Sequence, residues 1–227
     1  RLLNDVMNCL KAIKPEILIE FRQSYIGPAV RKYGNMFRAS DCPGDVLCNR
    51  LLTLRLRLTS GNTAVHSDML EWNLRESPEC AALQLLNVLF SVPQISVRLM
   101  ELPESHREML RFWLGFWREH RSTLLFGKLT PLHPEQIFPQ VFAETENEKI
   151  IAVYAPDQVV SVKTGCKTCH IVNASGVEEL VVELDRNPVA SELFDVTGEP
   201  LPPLSLKSGL QRIHIPCSGL LTIQYGE

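Results

Sequence analysis

Charge of one sign is what this chain has least of: 23 Lys and Arg stand against 26 Asp and Glu, a net charge of −3 in 227 residues. No Lys/Arg cluster interleaves with aromatic residues, so the electrostatic footprint of a nucleic-acid binder is missing. Long apolar runs are also lacking. The strongest, residues 81–97, is broken by Gln84, Asn87, Ser91, Pro93 and Gln94 and falls short of a membrane span. Neither nucleic acid nor membrane is an expected partner. Cysteine is present but unpaired in number: seven residues, scattered through apolar segments, fit buried thiols in a reducing compartment better than a disulfide framework, and the cytoplasm is the expected location. The first residue is Arg1, and Leu2, Leu3, Val6, Leu10 and Ile13 follow at helical spacing where an export signal would carry a charged stub and an apolar core. The chain is expected to be cut from something longer, beginning inside a helix.

What is present is 45% hydrophobic residues, enough to bury a large core. Residues 1–125 alternate between short strand-like runs and helical periods. Residues 16–21, 36–39, 63–66 and 92–96 read as strands, each followed by a polar or Gly/Pro turn. Between them fit an opening helix to Lys14, one capped by Asp45 and running to Leu58, one opened by Ser77-Pro78, and a long amphipathic helix over 104–125. A run of βα units predicts a parallel sheet. After Gly127 the helical spacing stops. Short alternating segments at 150–154, 159–163, 170–173, 179–184, 210–215 and 220–225 predict an antiparallel β-sandwich, reached through a linker at 129–139 with three prolines. The expected domains are 1–127 and 128–227.

Two places carry the chemistry. Met36-Phe37-Arg38-Ala39-Ser40-Asp41-Cys42-Pro43-Gly44-Asp45 runs an apolar strand into a carboxylate at its exit, and Ala64-Val65-His66-Ser67-Asp68-Met69-Leu70 does the same one helix later. Acids delivered to one end of a sheet suit a cleft built from loops, and paired carboxylates suit glycosidic bond cleavage. Asp45 reads as a helix cap. Trp113 and Trp117, with Phe112 and Phe116, read as packing at helical spacing. Cys166-Lys167-Thr168-Cys169-His170 matches the CxxCH haem pattern, but it lies in or beside a sandwich strand, and no second pair stands at zinc spacing. No cofactor is expected. Asn173-Ala174-Ser175 is a glycosylation sequon only in a secreted eukaryotic protein.

The sequence FRASD with a second Asp, then VHSDML, then a strand ending in VPQIS, a long helix and a β-sandwich resembles glycoside hydrolase family 36 and the related family 27, the α-galactosidases. The resemblance covers nearly the whole chain and implies a fold: the second half of a (β/α)8 barrel followed by an antiparallel β-domain. On that plan residues 16–21, 36–39, 63–66 and 92–96 look like barrel strands five to eight. The family's acid/base motif falls on Arg38 and Asp41, which makes Asp41 the implied catalytic residue. Asp68 and His66 would line the same rim, hydrogen-bonding to substrate or positioning Arg38 and Asp41. Arg22, Gln23, Ser24 and Tyr25 become candidate sugar contacts, and so does Trp72. The nucleophile belongs to a fourth strand absent from this chain, which alone is expected to be nearly inactive. Its implied partners are an α-galactoside or other oligosaccharide, and either the missing half-barrel or a second copy of the chain to cover the exposed sheet edges. A different class of function also fits the residues: a non-catalytic module for carbohydrate binding or oligomer contacts.

Overall fold

The helix signals read from the sequence act as caps in the computed structural model, which describes residues 1–22, 27–163 and 165–226, apart from the side chain of Pro28. Helix α1 spans Leu2–Ile13. Asp45 accepts a hydrogen bond from the Cys48 amide at 2.9 Å and opens α2 (Val46–Thr59). Ser77 does the same for the Cys80 amide at 3.3 Å, with Pro78 in the first turn of α3 (Pro78–Leu86). Helix α4 (Glu104–Phe126) is the longest. Its last carbonyls, which have no partner within the helix, are taken by the Arg57 guanidinium of α2: Nη1 donates to Leu124 O at 3.1 Å and Nη2 to Leu125 O at 2.8 Å.

The expected parallel sheet is present as β1 (Glu20–Phe21), β2 (Met36–Arg38), β3 (Ala64–Leu70) and β4 (Val92–Ile95), in that order and all parallel. Two strands depart from the sequence reading. β1 is shorter than 16–21 because the Asn35 side chain stands in for a ladder partner, donating to Ile17 O at 3.0 Å and accepting from Ile19 N at 2.8 Å. β3 runs on past His66 because, after a register shift between His66 and Met69, Met69 and Leu70 go on to pair with Gln94 and Ile95 of β4. That irregularity turns Ser67 and Asp68 inward in succession, which simple alternation does not anticipate.

Among the described residues ten further strands follow α4: β5 (Lys128–Leu132), β6 (Gln140–Glu144), β7 (Glu148–Val153), β8 (Val159–Val162), β9 (Thr168–Asn173), β10 (Glu179–Leu184), β11 (Ala190–Phe194), β12 (Pro200–Leu201), β13 (Gly209–His214) and β14 (Leu220–Gln224). They form a seven-stranded sheet, β12-β11-β14-β9-β7-β6-β5, and a three-stranded sheet, β13-β10-β8. Pairing is antiparallel except between β7 and β9 and between β8 and β10, so the sheets are mixed where all-antiparallel pairing was expected. The expected linker at 129–139 contains β5, whose Pro131 is tolerated because β5 is the last strand of its sheet.

Alternation along β7 and β9 divides the interior. Ile151, Val153, Cys169 and Ile171 face the small sheet with Val160, Leu180, Val182 and Ile213. Ile150, Ala152 and Val172 face the other way, into a cluster with Trp113, Phe116 and Leu124 of α4 and Leu85 and Leu86 of α3. Trp113 and Phe116 are core and Phe112 and Trp117 pack against them, as their spacing implied, whereas Phe126 at the end of α4 is exposed.

Asn173, in the sequon, closes the end of β9. It is fully buried; its amide donates to Val177 O (2.6 Å), Ile215 O (2.7 Å) and Pro216 O (3.2 Å), and its oxygen accepts from the Ser175 amide and hydroxyl. Stranding buried polar groups costs about 1–3 kcal/mol each. Asn173→Ala is therefore expected to lower unfolding stability by roughly 2–4 kcal/mol, seen as a shift in the urea midpoint at unchanged m-value. A change below about 0.5 kcal/mol, the size of an ordinary surface substitution, would remove Asn173 from the structural framework.

Candidate active site at the rim of the parallel sheet

Glu20 and Arg22 in and just after β1, Arg38 at the carboxyl end of β2 with Asp41 in the turn beyond it, and His66 and Asp68 within β3 form one charged network. Arg38, the last residue of β2, is buried and is its centre. One guanidinium nitrogen donates to Asp68 Oδ1 at 2.5 Å and the other to Asp41 Oδ1 at 2.5 Å, while Nε stands 4.0 Å from Glu20. Arg22 reaches the same Asp41 oxygen at 3.2 Å. His66 Nε2 lies 3.2 Å from Glu20 Oε2, and its Nδ1 lies 3.0 Å from Ser67 O.

The two aspartates differ in environment. Asp68 is fully buried, and its second oxygen accepts from the Cys42 amide at 2.5 Å. No surface of it is left for a ligand. Asp41 keeps 77% of its side chain exposed, so it is the acid open to a ligand. Hydrogen bonds from Arg38 first and Arg22 second hold the Asp41 carboxyl below the usual carboxylate range, against a small opposing effect of burial. With the described residues alone around it, Asp41 is ionised. The sequence reading required a proton on this group.

Trp72 is placed just past β3 but turns toward α4: its Nε1 donates to His106 Nδ1 at 3.1 Å, and its ring packs on the core. Gln23, Ser24 and Tyr25 lie outside the described residues. Two members of the site escaped the sequence reading. Glu20 was absorbed into an apolar strand, although a carboxylate at a strand end was its signal. Asn49 is fully buried on α2; it accepts from the Asp68 amide at 2.9 Å, donates to Cys42 O at 3.2 Å, and so ties the turn after β2 to β3. A polar residue on the inward face of α2, one turn after the cap, was the available sign.

No family model matches the chain, and no curated protein matches it. Solved structures do. α-Galactosidase AgaA of glycoside hydrolase family 36 from Geobacillus stearothermophilus superposes with a TM-score of 0.56 at 13% identity over 98% of this chain. It shares their fold. A variant of AgaA in complex with raffinose gives a TM-score of 0.55 at 15% identity, and AgaB from the same organism gives 0.52 at 14%, each over 98% of this chain. In all three cases the chain spans 30% of the length of the protein it matches. The family resemblance noted in the sequence thus extends to the three-dimensional arrangement. No helix among the described residues is long and apolar enough to cross a membrane.

Proposed function

We propose that the chain supplies the acid/base half of the active site of a retaining, α-galactosidase-like glycoside hydrolase, with residues 1–127 forming the second half of a (β/α)8 barrel and 128–227 a β-domain packed beside it. One observation carries the reading: an exposed carboxylate stands at the carboxyl end of a parallel strand, clasped by two arginines, where enzymes built on such barrels place their chemistry. In this reading Asp41 donates a proton to the leaving oxygen and later removes one from water. A nucleophilic carboxylate from outside the chain, ~5 Å away, provides the negative charge that lifts Asp41 out of its ionised state. Arg22 contacts sugar hydroxyls. Arg38, fixed by Asp68, positions Asp41, and His66 holds the neighbouring Glu20. That AgaA holds raffinose supports an α-galactoside as the substrate class.

Partner requirements follow from the open sheet. β1 and β4 are its edges, and Leu2, Ile13 and Leu18 are exposed. The remainder of the barrel is the cover that fits these edges best. The test is Asp41→Asn in the longer polypeptide, assayed on an α-galactoside: loss of turnover supports the assignment, and hydrolysis at the parent rate ends it.

A further inference from the structure

A second cluster of chemically competent side chains lies far along the chain from the rim. His120 on α4, Glu148 at the start of β7 and His170 on β9 converge at the side of a cleft of about 630 Å³ between α4 and the seven-stranded sheet. Their donor atoms all lie within 4.8 Å of one another. Glu148 Oε1 is 2.7 Å from His120 Nδ1 and 3.3 Å from His170 Nε2.

We propose that His120, Glu148 and His170 form a binding site for a divalent transition-metal ion of the zinc class, with its remaining coordination position facing the cleft. Two imidazoles and one carboxylate are a borderline-soft set that suits zinc and its neighbours over calcium or magnesium. Bonds of about 2.0–2.2 Å place tetrahedral ligand atoms ~3.4 Å apart, and small ring rotations close the remaining distance. The surroundings are arranged as a metal site requires. His170 uses its other nitrogen, Nδ1, on the Thr222 hydroxyl at 3.0 Å, which orients the ring and leaves Nε2 for the ion.

His170 is also the last residue of the CxxCH segment, and the strand explains which part of that segment is usable. Cys169 points into the core between the sheets and is fully buried, while His170 points to α4. The motif is divided between two faces of β9, so one of its thiols is closed to haem attachment and only its histidine joins the new site.

The test uses the full chain, stripped with a chelator, in a Cys9→Ser/Cys80→Ser background that removes the two exposed thiols. Calorimetric titration with Zn²⁺ is expected to give one site per chain. His120→Gln and Glu148→Gln, both at partly exposed positions, should each weaken it at least tenfold, and Thr222→Val roughly 10- to 100-fold through loss of ring orientation. Side-chain ¹⁵N spectra of the background protein should show one nitrogen of each of His120 and His170 shifting on zinc addition, a readout that needs no variant to fold. Failure to bind zinc stoichiometrically, equal affinity in the folded His120→Gln and Glu148→Gln proteins, or shifts confined to other histidines would overturn the site.

Discussion

On the proposed function, Asp41→Asn in a protein that also supplies the nucleophile should lower turnover of natural α-galactosides by roughly 10²- to 10⁴-fold, the usual contribution of a positioned general acid or base. The loss should depend on the leaving group. An activated aryl galactoside departs without a proton, so its first step survives while hydrolysis of the glycosyl-enzyme stalls for want of a base. Azide, which needs no base, should then restore turnover. The stereochemistry of the product separates the roles: a missing acid/base lets azide attack the intermediate with net retention and gives the α-azide, whereas a missing nucleophile gives the β-azide. The pH profile supplies a further check. Arg38 and Arg22 lower the Asp41 pKa in this chain, so in isolation its carboxyl should titrate by NMR below the ordinary aspartate value of 3.8. An opposing nucleophile must raise it for catalysis. Activity of the intact protein should then fall as pH climbs through that raised value, and Asp41→Asn, having no proton to lose, should flatten this basic limb. An unchanged limb would assign it to another group.

Much of this was open to sequence reasoning because the relevant signals are local. Asp45 and Ser77 announce helix starts through one hydrogen bond each, and the apolar runs of β2 and β10 are bounded by their own turns. What stayed hidden depends on contacts distant in sequence. Asn35 truncating β1, the register shift that buries Asp68, and the parallel pairing of β7 with β9 each require a partner strand to be in place. The site divides the same way. Arg38 and Asp41 are three residues apart and visible together, but the clasp of Arg38 between Asp68 and Asp41 spans 30 residues, and Arg22, which joins Arg38 in keeping Asp41 ionised, reaches it across 19. The cluster of His120, Glu148 and His170 has no local spacing at all; it exists only because α4 lies across β7 and β9.

Removing Asp68 should be the most damaging single change to the folded rim. Arg38 is 6% exposed and Asp68 is fully buried, so Asp68→Ala leaves a guanidinium short of its only buried counter-charge among the described residues and strips the Cys42 amide of its acceptor. Breaking a buried pair from one side costs about 3–5 kcal/mol, because the survivor keeps its desolvation penalty. Asp41 cannot fully compensate, since it is exposed and its charge is screened by water. The double variant Arg38→Met/Asp68→Asn should recover a large part of the loss: no charge remains buried, and the Asn oxygen can still accept from Cys42. A double-mutant cycle through Arg38→Met and Asp68→Asn should show coupling well above the 0.3–0.5 kcal/mol expected of independent sites, read from urea midpoints. Additive single effects, or an Asp68→Ala protein as stable as the parent, would mean that the strand ends are held by the backbone ladder alone. Arg38 would then be free to move, and the geometry that presents Asp41 to a sugar would lose its physical basis.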